Sequence, residues 1–104
     1  MNLKCEFKVA SRHVPVSPRF RIYFNDELMT ERELAFDFKE REYDNIVMHL
    51  EVEPDIHELR LDLLNEGELC ILALHCNNVS VYKNHKGTPL LNKSWTYTIN
   101  TTNI

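Results

Sequence analysis

The chain has 104 residues, of which 43% are apolar and 27% are charged, and its net charge at pH 7 is −4. This length suits a single domain, 1–104, with a genuine core, and the composition excludes a disordered acidic tail. No apolar run approaches the roughly 18 residues that a membrane span needs. The negative charge gives no electrostatic reason to bind a phosphate backbone, so we expect neither membrane nor nucleic acid as a partner.

The first residues and the cysteines indicate a cellular environment. The segment Met1–Cys5 lacks the apolar stretch of a signal peptide, so we expect a chain that is not secreted and stays in the cytoplasm. Cys5, Cys70 and Cys76 are an odd number, and their spacing matches neither a disulfide framework nor a metal clip. Reduced, partly buried thiols are expected.

Apolar and polar residues alternate in several segments, which is the period of a half-buried strand. In chain order the alternating apolar residues are Cys5, Phe7 and Val9; Phe20, Ile22 and Phe24; Leu34, Phe36 and Phe38; Ile46, Met48, Leu50 and Val52; and Trp95, Tyr97 and Ile99. Turn-forming pairs such as Asn25-Asp26, Pro54-Asp55 and Asn77-Asn78 separate these segments. This pattern predicts an all-β antiparallel sandwich or jelly roll of about eight short strands.

Two segments leave a helix open as an alternative. In 55–64, Asp55 and Glu58 have capping-box spacing, and 26–43 is rich in helix-favouring Glu, Lys and Arg. We prefer strand for 55–64, because a hairpin turning at Pro54-Asp55 would bring the apolar residues of both arms onto one face. Its pairs would be Val52 with His57, Leu50 with Leu59, Met48 with Leu61 and Ile46 with Leu63. In 26–43 the run Leu34–Phe38 alternates as a strand does.

A second hairpin is predicted to turn at Asn77-Asn78, since asparagine tolerates the positive φ angles of a two-residue loop. It would pair Cys76 with Val79, Leu74 with Val81, His75 with Ser80 and Ala73 with Tyr82. The small polar end of the chain, 99–104, is predicted to be a flexible tail or a contact arm.

The strand before this turn is apolar on both of its predicted faces. Cys70, Leu72, Leu74 and Cys76 would form the row that enters the core. The other row is predicted to bind a protein partner or a second copy of the chain, because contiguous exposed apolar patches mark interaction sites. Its residues are Leu69, Ile71, Ala73 and Tyr82.

No signature of catalysis, phosphate binding or a paired metal motif is present in the sequence, so we predict no catalytic residues and no metal ligands. The five histidines are scattered, and His57 is expected to be a core-edge side chain satisfied by the backbone. Acidic residues in the loops could supply oxygen ligands for calcium, but turn formation and solubility are their more common roles. We therefore expect no cofactor, with calcium as the alternative.

Exposed aromatic rings offer a possible surface for a sugar ring to stack on. The candidates for carbohydrate binding are Tyr82, Trp95 and Tyr97. Trp95 and Tyr97 share one face of the last strand, and closing the core is the alternative role for them, since tryptophan is highly buried on average.

The run Arg19–Leu28 resembles the strand, Asn-Asp turn and strand that open small jelly rolls of the carbohydrate-binding-module type. The later segments His57–Leu63 and Asn78–Tyr82 resemble their closing strands. Similar domains occur among virion proteins of tailed bacteriophages, including cyanophages. The resemblance covers residues 18–83, and it implies either glycan recognition or attachment to a capsid or tail lattice.

Together these observations predict a non-enzymatic structural module that binds a protein lattice through an apolar sheet face. The resemblance implies a capsid decoration or tail-associated subunit located in the virion. A carbohydrate-binding module, with or without calcium, is the alternative function.

Overall fold

Strands make up nearly all of the chain that the structure describes. The computed structural model describes residues 1–10, 17–34, 43–90 and 93–103, and the side chains of these except 43, 85–89 and 103. The strands are β1 (Asn2–Ala10), β2 (Arg19–Phe24), β3 (Glu27–Glu33), β4 (Tyr43–Glu51), β5 (Ile56–Leu63), β6 (Cys70–Cys76), β7 (Val79–Pro89) and β8 (Ser94–Asn100). A 3-10 turn, Thr101–Asn103, follows β8.

The strands form two antiparallel sheets of four. The first sheet has the order β4-β1-β6-β7 and the second has the order β3-β2-β5-β8. The two sheets pack face to face around one core, so the predicted all-β antiparallel sandwich is confirmed. The segment 55–64 contains strand β5, as preferred from its sequence pattern.

Alternation along each strand builds the core between the sheets. β1 buries Leu3, Cys5, Phe7 and Val9, while β2 buries Phe20, Ile22 and Phe24, and the residues between them are half-buried or exposed. Each large apolar side chain that is fully buried stabilises the fold by about 1.5–3 kcal/mol. The opposite row of β1 and of β2 lies on the outside of the sandwich, half-buried or exposed.

The predicted β4–β5 hairpin is wrong. β4 pairs with β1 in the first sheet, and β5 pairs with β2 and β8 in the second, so none of the four predicted pairs from Val52–His57 to Ile46–Leu63 forms. The chain crosses from one sheet to the other near Pro54. The apolar residues of both strands face the same core from opposite sides. The sequence pattern of two such strands is the same as that of a hairpin with one apolar face.

The two Asn-containing turns form as their sequences predict. Asn25 and Asp26 have φ angles of 49° and 64°, and Asn77 and Asn78 have 50° and 66°, as two-residue hairpin turns require. Asn25 also ties its turn to β5, because its amide oxygen accepts a hydrogen bond from the Glu58 N–H at 2.9 Å.

The β6–β7 hairpin keeps the predicted register only beside its turn. Cys76 pairs with Val79 and His75 with Ser80, as predicted. The register then shifts, so that the residue opposite Leu74 is Tyr82 and the residue opposite Ala73 is Lys83. A β-bulge in β7 therefore separates the observed pairing from the predicted one beyond the turn.

In the segment 26–43, the structure shows strand β3 and then Leu34, which is 2% exposed. The rest of the predicted Leu34–Phe38 strand lies outside the described residues.

The end of the chain is anchored, which corrects the prediction of a flexible tail at 99–104 for the residues up to Thr101. Ile99 is buried in the core, and Thr101 is 1% exposed. The Thr101 hydroxyl accepts a hydrogen bond from the Asp55 N–H at 3.0 Å, and the Thr101 N–H donates to the Asp55 carbonyl at 2.9 Å. These bonds hold the β4–β5 crossing against the end of β8.

We expect Thr101→Val to lower the free energy of unfolding by about 1–3 kcal/mol, because the part-buried Asp55 N–H and the carbonyls of Glu53 and Asp55 would lose the Thr101 hydroxyl as their partner. Urea unfolding followed by circular dichroism measures the change. Thr102→Val is the matched control, since its hydroxyl bonds to Asn100 in an exposed position. Equal unfolding midpoints for the two variants would contradict the anchoring role of Thr101.

Candidate interaction surfaces

The predicted apolar row for a protein partner is not open to solvent. Leu69, Ile71 and Ala73 are 2%, 0% and 5% exposed, and the first two belong to the chain's own core. Tyr82 is half-buried and packs against the aromatic rings of β8. The prediction of a second, exposed apolar row on this strand is therefore wrong.

A bulge in β6 is the physical reason for this error. Lys8 of β1 lies opposite Ala73 but the next residue, Val9, lies opposite Ile71, so Leu72 is an extra residue in β6. A bulge shifts the alternation of the strand by one residue. As a result Ile71 and Leu74, three positions apart, both enter the core, and Leu72 is only half-buried.

The three residues predicted to bind carbohydrate form one aromatic cluster, which we define as Tyr82, Trp95 and Tyr97. The rings of Trp95 and Tyr97 are stacked with centroids 5.7 Å apart, and Tyr82 meets both rings edge-on at 5.5 and 5.6 Å. The cluster lies where the edge strands β7 and β8 face each other across the sandwich. The Tyr97 hydroxyl donates a hydrogen bond to the Val81 carbonyl at 2.6 Å and so joins the two sheets.

Burial divides the aromatic cluster into one core residue and two rim residues. Trp95 is 8% exposed and also contacts the ring of Phe7, so it closes the core and has no open face for a sugar. Tyr82 and Tyr97 are half-buried at the rim. Of the predicted stacking platform, only these two tyrosines reach solvent.

His57 is satisfied within the fold, as its sequence position predicts. The side chain is 9% exposed and stacks on Phe24 with ring centroids 5.0 Å apart. Its Nε2 lies 2.8 Å from the Glu53 carbonyl, and its Nδ1 lies 2.8 Å from the Asn25 side-chain amide. Both ring nitrogens of His57 are thereby used for structure, and the Glu53 carbonyl can only accept, so Nε2 is the donor to it.

The outer side of the second sheet carries a connected set of polar side chains that the sequence did not reveal. We call it the Arg60 face and define it as Tyr23, Asp26, Arg60, Asp62 and Ser94. The Arg60 guanidinium lies over the Tyr23 ring at 4.3 Å and donates to Asp26 at 2.5 Å and to Asp62 at 3.3 Å. The Ser94 hydroxyl donates to the second oxygen of Asp62 at 2.8 Å.

These contacts hold Arg60 in one orientation although its side chain keeps 28% of its exposure. The hydrogen bond to Asp26 raises the pKa of Arg60, whose guanidinium is positively charged in any case. Strand pairing makes the arrangement possible, because Tyr23 of β2 lies directly opposite Arg60 of β5. An ordered arginine stacked on a tyrosine combines two residue types that are enriched in protein interfaces.

A second ion pair extends the polar surface onto β3. Arg21 and Glu31 are cross-strand partners, and the Arg21 Nε donates to the Glu31 carboxylate at 2.8 Å. This hydrogen bond lowers the pKa of Glu31 and raises that of Arg21, and the charge of Arg19 lowers the pKa of Glu31 further. Both side chains are about two-fifths exposed, so solvent screens the pair.

The cysteines are buried and no disulfide joins them in the described residues. Cys5 and Cys76 are cross-strand partners, and hydrogen bonding to Cys76, together with burial, raises the pKa of the Cys5 thiol. A protonated, buried thiol is a poor nucleophile. Within the described ranges, no three His, Cys, Asp or Glu side chains are close enough to hold a metal ion.

A shallow cleft of about 220 Å³ lies at one end of the sandwich, between the 64–69 loop and the start of β8. Its rim carries an exposed ion pair of Lys93 with Glu66 at 3.2 Å, and Leu63, Leu69 and Leu90 contribute to its lining. Pockets that enclose small ligands usually measure about 300–1,000 Å³, so this cleft is small for that purpose.

The pKa of Glu31, followed by NMR titration, is expected below the ordinary value of about 4.3 and to move back towards it in Arg21→Met. Because the folded pKa is the lower one, the pair contributes stability above the unfolded pKa and loses it as the pH falls through the folded pKa. Arg32→Met, on the same strand, is the control. An unchanged Glu31 pKa in Arg21→Met would show that the pair does not form.

Comparisons with protein-family models, with curated proteins and with solved structures found no match to this chain. The resemblance to small jelly rolls of phage virion proteins therefore stays a prediction. No helix in the described part of the chain has the length and hydropathy needed to cross a membrane.

Proposed function

We propose that the chain is a non-enzymatic structural module that binds a protein partner through the Arg60 face. The observation that carries the proposal is the fixed guanidinium of Arg60, held by Asp26 and Asp62 above the ring of Tyr23. A side chain ordered before binding loses little conformational freedom when the partner arrives.

The sheet backbone beneath the Arg60 face and the charge of this surface support a protein as the partner. The residues of the Arg60 face lie on strands of one four-stranded sheet, except Asp26 in the turn between β2 and β3, so most of its polar groups lie on a regular sheet backbone. With the neighbouring pair Arg21–Glu31, carboxylates outnumber guanidinium groups by three to two. A partner surface with a positive charge would complement this balance and would bind faster at low salt.

The resemblance to virion domains extends the proposal to a capsid decoration or tail-associated subunit of a tailed bacteriophage. In such a particle the partner would be a lattice protein. The polar Arg60 face takes the place of the apolar face that the sequence pattern suggested.

Carbohydrate binding is the second candidate, and it now depends on Tyr82 and Tyr97 alone. Their rings are half-buried at the rim of the sandwich, while the larger ring of Trp95 is buried. The hydroxyl of Tyr97 is already bonded to Val81, which leaves one fewer polar group for a sugar.

The test is a binding measurement with a partner isolated by cross-linking from the source particle or cell and then purified. We expect Arg60→Ala and Tyr23→Ala each to weaken binding about 30-fold, the effect of truncating a central interface residue. Lys83→Ala, on the outer side of the first sheet, is the matched control and should bind as the wild type does. Circular dichroism checks that each variant is folded. Unchanged affinity in both folded variants would overturn the proposal.

A further inference from the structure

Among the strands that the structure describes, four lie at the edges of the two sheets: β4 and β7 in the first sheet, β3 and β8 in the second. An edge strand presents a row of unpaired backbone N–H and C=O groups that another extended strand can bind. Proteins usually protect such edges with charged side chains, proline or bulges. The four edges of this sandwich differ in that protection.

Three edges carry protective features. β3 contains four charged residues among its seven, Glu27, Glu31, Arg32 and Glu33. β4 carries the exposed charges of Asp44 and Glu51. β7 pairs with β6 through two register shifts and ends at Pro89.

β8 has none of these features. Its seven residues, Ser94–Asn100, include no charged residue and no proline, and its pairing with β5 runs without a register shift. Threonine, tryptophan, tyrosine and isoleucine make up most of the strand, and all four favour extended structure. β8 is therefore a regular, uncharged edge strand whose outer backbone groups can bind another extended strand.

The hydrogen bonds at both ends of the β5–β8 ladder show which backbone groups of β8 face outwards. The Leu63 N–H donates to the Lys93 carbonyl at 2.8 Å, and the Thr101 N–H donates to the Asp55 carbonyl at 2.9 Å. Hydrogen-bonded positions alternate along an antiparallel pair, so the odd-numbered residues of β8 bond to β5. The backbone groups of the even-numbered residues point to the open edge: Ser94, Thr96, Thr98 and Asn100.

We propose that two copies of the chain pair antiparallel through β8, about a two-fold axis at Tyr97. This register uses the whole strand, with Thr96 opposite Thr98, Trp95 opposite Ile99 and Ser94 opposite Asn100 of the second copy. The even-numbered residues then exchange backbone hydrogen bonds, as their orientation requires. The second sheet becomes continuous across both copies.

The side chains of β8 indicate a second copy as the occupant, because the strand is self-complementary about Tyr97. Threonine meets threonine on the outer side, and an aromatic residue meets a β-branched one on the inner side, both favourable cross-strand pairs. No charge in either strand meets a like charge. The half-buried rings of Tyr82 and Tyr97 lie beside this edge, and the pairing brings the aromatic clusters of the two copies together.

This inference goes beyond the proposed function and does not depend on it. The Arg60 face consists of side chains on the outer side of the second sheet, whereas the pairing uses the backbone of its edge, and Ser94 contributes its hydroxyl to the first and its backbone to the second. A dimer of this kind carries two Arg60 faces on one continuous sheet. Arg60→Ala is therefore expected to dimerise as the wild type does, so that the two proposals fail separately.

The test compares Thr98→Pro with Thr98→Val by sedimentation equilibrium. Proline removes the outward N–H of residue 98 without removing a bond to β5, and edge strands tolerate proline in that orientation. Because the change occurs twice in a two-fold dimer, we expect Thr98→Pro to weaken dimerisation at least about tenfold. Thr98→Val keeps the N–H and should dimerise as the wild type does.

Amide hydrogen exchange at low and high protein concentration gives a second readout. In the dimer the amides of Thr96 and Thr98 should become protected, whereas those of Tyr97 and Ile99 are protected at every concentration because they bond to β5. A wild-type chain that stays monomeric at millimolar concentration overturns the inference. A dimer in which Thr96 and Thr98 still exchange freely overturns it equally, because the contact would then lie elsewhere.

Discussion

One apolar core is shared by two four-stranded sheets, and each strand that lines this core must keep a row of side chains in it, whereas the edge strand β3 has no buried side chain. For most strands simple alternation meets this requirement, as in β1 and β2. β6 meets it differently, because the extra residue Leu72 shifts its alternation so that Ile71 and Leu74 both reach the core. The surfaces that remain outside follow from this arrangement, and the row of Leu69, Ile71 and Ala73 is not one of them.

Contacts distant in sequence then hold the two sheets together at their margins. Thr101 ties the end of β8 to the crossing between β4 and β5, and Tyr97 bridges the edges of β7 and β8 through its hydroxyl. Within the second sheet, Asn25 links the β2–β3 turn to β5 through Glu58 and His57. These contacts fix the backbone of β5 and β8. A partner that binds the outer side of the second sheet or the edge of β8 therefore meets an ordered surface, and little conformational entropy is lost on binding.

The sequence predicted the fold class, the two Asn-containing turns and the strand 55–64, because alternation and turn chemistry are local properties. It could not predict which sheet a strand joins. The apolar rows of β4 and β5 match equally well as a hairpin or as strands facing each other across the core, so the pairing of Leu50 with Leu59 was wrong. Nothing in the sequence around Leu72 indicates a bulge, and for that reason Ile71 was wrongly predicted to lie on an exposed row. The Arg60 face was missed for the same reason, since Tyr23 and Arg60 meet only through the β2–β5 pairing.

The bulge at Leu72 is tested most directly by comparing the unfolding of Ile71→Asp and Leu72→Asp in urea. With Ile71 in the core and Leu72 at a half-buried bulge, the aspartate at 71 should cost more than about 4 kcal/mol or prevent folding, because it buries an unpaired carboxylate. The aspartate at 72 should leave the chain folded. If Ile71→Asp folds and Leu72→Asp does not, then Leu72 and not Ile71 lies in the core. That result would mean that β6 alternates without a bulge, and it would contradict the core described above.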